Sequence, residues 1–301
     1  MKYIEQLLNL NNAKKLWYYL PFTVFFLGIM FLNWIYIKFS SISTKELINQ
    51  QIDLLGKNLN FLWTLAPFVI LIIFLMVWVL MVHKQSLLSL FTSRTKVDWN
   101  RFLFAFGVQS AVVIIGVVIS YINAPNDFVL NFDFKLFVPF VLIAILFVPI
   151  QTSFEELFIR GYLMQGVGLA TKSRAVALIV TSVIFGLLHA SNPEIEQLGW
   201  VMMIYYIGTG LFLGMIVLMD EGLELALGFH AANNLVGVLL VTSNWTAFQT
   251  NSLLIDISPI DKVGVTDFLI QVFVVLPLMF VVFYKKYKWT GIKQHLFGRV
   301  K

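Results

Sequence analysis

Glu155-Glu156-Leu157-Phe158-Ile159-Arg160, reached through the apolar run Leu142-Ile143-Ala144-Ile145-Leu146-Phe147-Val148, decides how this chain is read. The run itself is a membrane-helix signal. Ionisable groups at bilayer depth are costly and mark a functional site by default. On a helix, Glu156 and Arg160 stand about 40° apart in projection and one turn apart in height, so they can pair, while Glu155 points about 100° away from Glu156. A plain helix end with one i, i+4 ion pair, a minor stabilising contact, would look the same over six residues. The apolar flanks on both sides favour the functional reading. In that reading Arg160 pairs with and fixes Glu156, and Glu155 is left to face a cavity as a general base.

Composition agrees with a membrane setting. Of 301 residues, 59% are hydrophobic and 12% charged, and the mean hydropathy is +0.85. A soluble domain carries roughly 25% charged residues. The fold class expected is therefore all-α: a polytopic transmembrane helical bundle forming a single integral membrane domain over residues 1–301. Segments able to cross a ~30 Å hydrocarbon core fall at 17–37, 61–82, 102–122, 136–168, 174–189, 200–219, 224–242 and 268–284. The first is too long for a signal peptide's apolar region and reads as a retained helix. Pro139 and Pro149 are expected to bend the long 136–168 segment. With no cysteine in the chain, a disulfide framework, a thiolate nucleophile and a cysteine-ligated metal are excluded.

The net charge of +5 is concentrated at span ends, where it reports orientation and gives no sign of a nucleic-acid partner. Lys2, Lys14 and Lys15 precede the first span; His83, Lys84, Arg94, Lys96 and Arg101 lie between the second and third; Lys172 and Arg174 lie between the fourth and fifth. Lys285, Lys286, Lys288, Lys293, Arg299 and Lys301 follow the last span. Alternate connections are poorer in cations: Lys38, Lys45 and Lys57 after the first, Lys135 after the third, and Lys262 before the last. The positive-inside rule then puts both termini in the cytoplasm. Asp220 and Glu221 read as a solvated turn on that side, and His83 and His295 carry no assigned role.

Two further pairs sit inside apolar spans: Phe185 with His189, and His230 with Asn234, each at i, i+4. The connection near Lys172 is equidistant from Glu155 and His189 (172 − 155 = 17; 189 − 172 = 17), so an antiparallel hairpin brings the two to one depth. A lone histidine at a span end is more often an interfacial residue bonded to a backbone carbonyl; the matched depth tells against that here. Phe185 reads as packing, and Gly186 as a point of close helix approach. His230 and Asn234 could be a polar stitch between helices, or donors aimed at developing negative charge in a water-poor cavity. Asn233 ranks below Asn234 because it sits further off the His230 face.

Other intramembrane chemistries are absent as motifs. There is no His-Glu-x-x-His, no Gly-x-Ser-Gly and no Gly-x-Gly-Asp; Gly208-Thr209-Gly210 runs into Leu211. The three motifs that are present, Glu155-Glu156-x-x-x-Arg160, Phe185-x-x-x-His189 and His230-x-x-x-Asn234, resemble the CPBP family of CAAX proteases and bacteriocin-processing enzymes, also called ABI. The likeness covers roughly 136–242, the expected catalytic core. It implies an intramembrane endopeptidase whose partner is a membrane-embedded or lipidated peptide or protein. By the same resemblance Glu155 and His189 activate water, His230 and Asn234 form the oxyanion site, and Glu156 and Arg160 support them. No cofactor is favoured, although Glu155, His189 and His230 could together ligate zinc. The resemblance implies a site open to the cytosol, whereas the charge count places the Glu155 level toward the opposite face. Two other classes stay open: a non-catalytic immunity or scaffold protein on the same fold, and a transporter. No repeat of broken helices supports the latter. The compact, cysteine-free chain reads as a bacterial cell-membrane protein; its oligomeric state is not legible.

Overall fold

The computed structural model describes residues 2–40, 42–260 and 263–301; Lys262 lies outside them. Eight apolar helices order the described chain: α1 (Leu20–Phe39), α2 (Thr44–His83), α3 (Trp99–Asn123), α4 (Phe134–Thr171), α5 (Arg174–Leu187), α6 (Met202–Asp220), α7 (Glu224–Leu240) and α8 (Val265–Lys286). Six are long and apolar enough to cross a membrane, and α5 and α7 are shorter, at 14 and 17 residues. The shorter two carry the histidine motifs; α7 is buried over most of its length, whereas α5 keeps an exposed apolar face at Val176, Ile179, Val183 and Leu187.

Helix starts are marked by capping side chains. Ser43, Asp98, Asp133 and Ser173 each accept a backbone N–H from the first turn of α2, α3, α4 and α5, satisfying donors that would otherwise be orphaned in or near lipid. The second helix begins earlier than hydropathy implied. A polar stretch from Thr44 is joined to the apolar part across Gly56, whose φ of 74° breaks the helix. In α4 the helix continues through Pro139 and Pro149, and the departure from α geometry lies instead at Leu157–Leu163, a π-helical stretch containing Arg160. Such bulges recur at functional sites.

Close approaches hold the core together. A Cβ on Gly186 would strike Ile207 of α6, and one on Gly210 would lie 2.9 Å from the Ser182 carbonyl of α5. Without a hydrophobic driving force in lipid, small residues of this kind permit the backbone contact that packs helices. Gly228 of α7 faces the Phe102 carbonyl of α3 in the same way, and there the obstruction is backbone. Gly228→Ala is therefore expected to lower stability by about 1–3 kcal/mol, the usual cost of overpacking, read as thermal unfolding in detergent.

The acidic turn after α6 is not solvated as expected. Asp220 is 5% exposed and Glu224 fully buried. Arg94 reaches both, at 2.9 and 3.0 Å, and Arg101 lies 3.4 Å from Asp220. Glu221 pairs with Arg174 at 2.9 Å, which also holds Glu5 at 2.8 Å, and His295 adds a contact to Glu221 at 3.2 Å. The physical reason is convergence: the cation-rich connections and both terminal segments gather around this turn and neutralise it. His83 is likewise buried, with Nε2 shared between the Tyr18 carbonyl and the Tyr162 hydroxyl. At the opposite end, β1 (Phe128–Leu130), β2 (Val241–Ser243) and β3 (Leu254–Asp256) form a small sheet in the order β1-β3-β2, antiparallel then parallel. Three-residue strands carry no readable periodicity.

Candidate active site

Glu155, Glu156 and Arg160 leave α4 where it passes into the π-helical turn. Glu156 and Arg160 are both fully buried and joined at 2.8 Å. The second guanidinium nitrogen of Arg160 donates to the Gly210 carbonyl at 3.2 Å. Its Cζ lies 4.2 Å from the centre of the Phe185 ring, a cation–π contact that adds to Phe185's packing. Glu156 Oε1 takes a second partner, His230 Nδ1, at 2.8 Å. Because an ionised carboxylate only accepts, this contact puts a proton on Nδ1. His230 Nε2 then faces Glu155 Oε2 at 3.5 Å and Asn234 Nδ2 at 3.5 Å.

Glu155 is fixed at one oxygen. Its Oε1 accepts from Gln151 Nε2 at 2.6 Å, one turn back on α4. Its Oε2 has no hydrogen-bond partner among the described residues. Asn234 donates to the Gln151 carbonyl at 3.3 Å. His189 lies in the turn just beyond α5 rather than on the helix. Its Nδ1 bonds the Phe185 carbonyl at 2.8 Å, and its ring stacks on Tyr206 at 4.3 Å. A carbonyl can only accept, so Nδ1 carries the proton and Nε2 remains an acceptor.

Part of this cluster borders one cavity of about 1090 Å³, whose described lining includes Glu155, Gln151, His189, Tyr205, Tyr206, Asn233 and Asn234. The lining also takes in the inner faces of α1 and the first half of α2, and reaches the segment after β2 through Trp245 and Phe248. Glu194, near the mouth, anchors that segment by accepting the Ala247 N–H at 3.0 Å; burial pushes its carboxyl upward. Glu155, His189 and Asn234 are thus brought around one space, with His230 buried against Glu155 and Asn234 and with Glu156 and Arg160 deeper still. Direct contacts join Glu155 to Gln151 and His230, while His189 borders the cavity from α5. Sequence reading missed Gln151 and Tyr206, whose importance depends on partners from other helices. Gln151 stood one turn before Glu155, on the same face, and was the one legible signal.

Among the described residues no group of three or more His, Cys, Asp and Glu gathers closely enough to hold a metal ion.

Residues 134–236 match the family model described as type II CAAX prenyl endopeptidase Rce1-like, which bears out the family resemblance read from the three motifs. Together with the apolar helices, the match supports an integral membrane protein with a central region similar to that family. A curated relative, the uncharacterized protein YyaK of Bacillus subtilis (strain 168), is 31% identical over 160 residues, 53% of this chain and 54% of the relative. The chain therefore spans about half the length of the curated relative it matches. No solved structure matches.

Proposed function

We propose that this protein is an intramembrane endopeptidase that hydrolyses a peptide bond in a membrane-embedded or lipidated substrate without a metal. The observation that carries the reading is Glu155: a carboxylate with one oxygen anchored and the other unpartnered, bordering a cavity beside two histidines and an asparagine. Glu155 Oε2 takes a proton from water, with His189 Nε2 accepting the water's second hydrogen bond. The hydroxide adds to the scissile carbonyl carbon. Asn234 Nδ2 donates to the oxygen that becomes negative. His230 joins it when Nε2 carries a proton in addition to that on Nδ1. Collapse breaks the C–N bond as the amine nitrogen takes the proton held by Glu155. Glu156 and Arg160 hold His230 in place from behind.

A substrate segment must be unfolded to reach such a site, and the cavity is large enough for a few extended residues. We assign both termini to the cytoplasm from the gathering of cationic segments at one end, which turns the cavity mouth to the other face. N-terminal proteomics of membranes from cells expressing the wild type or Glu155→Ala tests the activity: new N-termini that require Glu155 identify substrates, and identical profiles would overturn the reading in favour of a non-catalytic protein on this fold.

Asn234→Ala is expected to reduce turnover by the equivalent of about 2.7–4 kcal/mol, the usual loss of one oxyanion donor, with substrate affinity little changed. Turnover is also expected to survive exhaustive chelation. Inactivation by chelator with recovery on adding zinc would instead make ligands of Glu155, His189 and His230.

A further inference from the structure

Four side-chain amides run in an unbroken line from α3 to Glu155. Gln109 Nε2 donates to Asn233 Oδ1 at 3.0 Å, and Asn233 Nδ2 to Asn234 Oδ1 at 3.2 Å. Asn234 Nδ2 donates to Gln151 Oε1 at 3.3 Å, and Gln151 Nε2 to Glu155 Oε1 at 2.6 Å. Each amide offers its NH2 forward and its carbonyl backward. The end of the line imposes that direction, because a carboxylate only accepts. Once Gln151 turns its NH2 to Glu155, its carbonyl faces α7. Asn234 must then present its own NH2, and the same constraint passes back through Asn233 to Gln109. Gln109 is fully buried and lies outside the 134–236 family match.

We propose that Gln109, Asn233 and Gln151 are positioning residues: a one-way amide relay that locks Asn234 and Glu155 into a single mutual orientation. The proposal rests on the reading of Glu155 as base and Asn234 as oxyanion donor, and it deepens both assignments. With Gln151 seated on Oε1, the proton from water goes to Oε2, the oxygen 3.5 Å from His230 Nε2. With Asn233 holding the Asn234 carbonyl, that carbonyl is turned away from the reacting centre. Asn234 keeps one N–H on Gln151 and turns its second toward His230 Nε2 at 3.5 Å, a long contact that a developing oxyanion can displace. Were Asn234 to flip, its carbonyl dipole would oppose the charge it is meant to stabilise. Hydrogen bonds in series within a low-dielectric interior also polarise one another.

The test uses the purified full chain. Gln109→Leu is expected to fold, since leucine removes a buried carbonyl oxygen that has no partner among the described residues. It should lower kcat and leave KM unchanged, although Asn233 stands between Gln109 and Asn234. Gln151→Leu should lower kcat by at least about tenfold, since small misplacements of reacting groups have effects of this order or larger. In an Asn234→Ala background, Gln109→Leu should have no further effect, because what it orients is gone; a merely structural role would give effects that add. A readout independent of turnover is the side-chain amide resonance of Gln109 in 15N-glutamine-labelled protein. It should move on Glu155→Ala, and in a Gln151→Leu background, where the line is already interrupted, Glu155→Ala should move it no further. A fully active Glu155→Gln enzyme would overturn the catalytic reading and leave the resonance to decide the relay. An enzyme killed by Glu155→Gln, with additive Gln109→Leu effects and an unmoved resonance, would overturn the relay alone.

Discussion

Glu155→Gln is expected to fold and express like the wild type yet lose hydrolysis by about 10²- to 10⁴-fold, the scale of general acid–base catalysis. The substitution is unusually clean here. The glutamine carbonyl can take the place of Oε1 and still accept from Gln151, so the anchoring contact at 2.6 Å is preserved. What changes is the other position, where an oxygen able to take a proton becomes an NH2 that cannot. Turnover of purified protein on a peptide substrate in detergent or liposomes provides the measurement. Near-normal turnover would remove Glu155 from the role of base.

Arg160→Ala is expected to damage stability as well as activity. Arg160 is fully buried, and its removal leaves the Glu156 carboxylate without its ion-pair partner at 2.8 Å and the Gly210 carbonyl without its donor. Breaking a buried pair from one side typically costs about 3–5 kcal/mol. Thermal unfolding in detergent reads the loss. Arg160→Lys should recover only part of it, because an ammonium cannot span Glu156 and Gly210 while lying flat on Phe185. A variant as stable as the wild type but inactive would place Arg160 in contact with substrate, for example at a peptide carboxylate.

The helical, membrane-embedded architecture was legible because apolar windows of sufficient length seldom occur in chains that stay in water. The residues around the cavity were legible for a related reason: i, i+4 spacing fixes which side chains share a face whatever the tertiary structure. Beyond that, local pattern fails. Hydropathy found only the apolar part of α2 and did not see the polar turns before Gly56. The residues Asp220 and Glu221 looked solvated because a sequence window does not reveal that Arg94, Arg101 and Arg174 arrive from other connections. Gln109 and Gln151 are unremarkable glutamines in helices until α3, α4 and α7 are packed together. The π-helical turn at Leu157–Leu163 has no proline to announce it, and the two prolines that did draw attention lie earlier in a continuous helix.

The described cavity lining ends at Glu155 on α4, at Ile184 on α5 and at Asn233 on α7. Between that floor and the ion pairs around Asp220 lies close-packed side chain: Leu157, Phe158, Tyr162, Met164, Leu213, Ile216 and Val217 are all at most 1% exposed. At about 1.5 Å per residue, the helical path from Glu155 to Lys172 corresponds to roughly 25 Å. A protein that admits water to the middle of a bilayer risks short-circuiting the membrane, since protons and small ions follow connected water. Here the cavity and the charged end are separated by packed, mostly apolar side chains that work as a plug against such a leak.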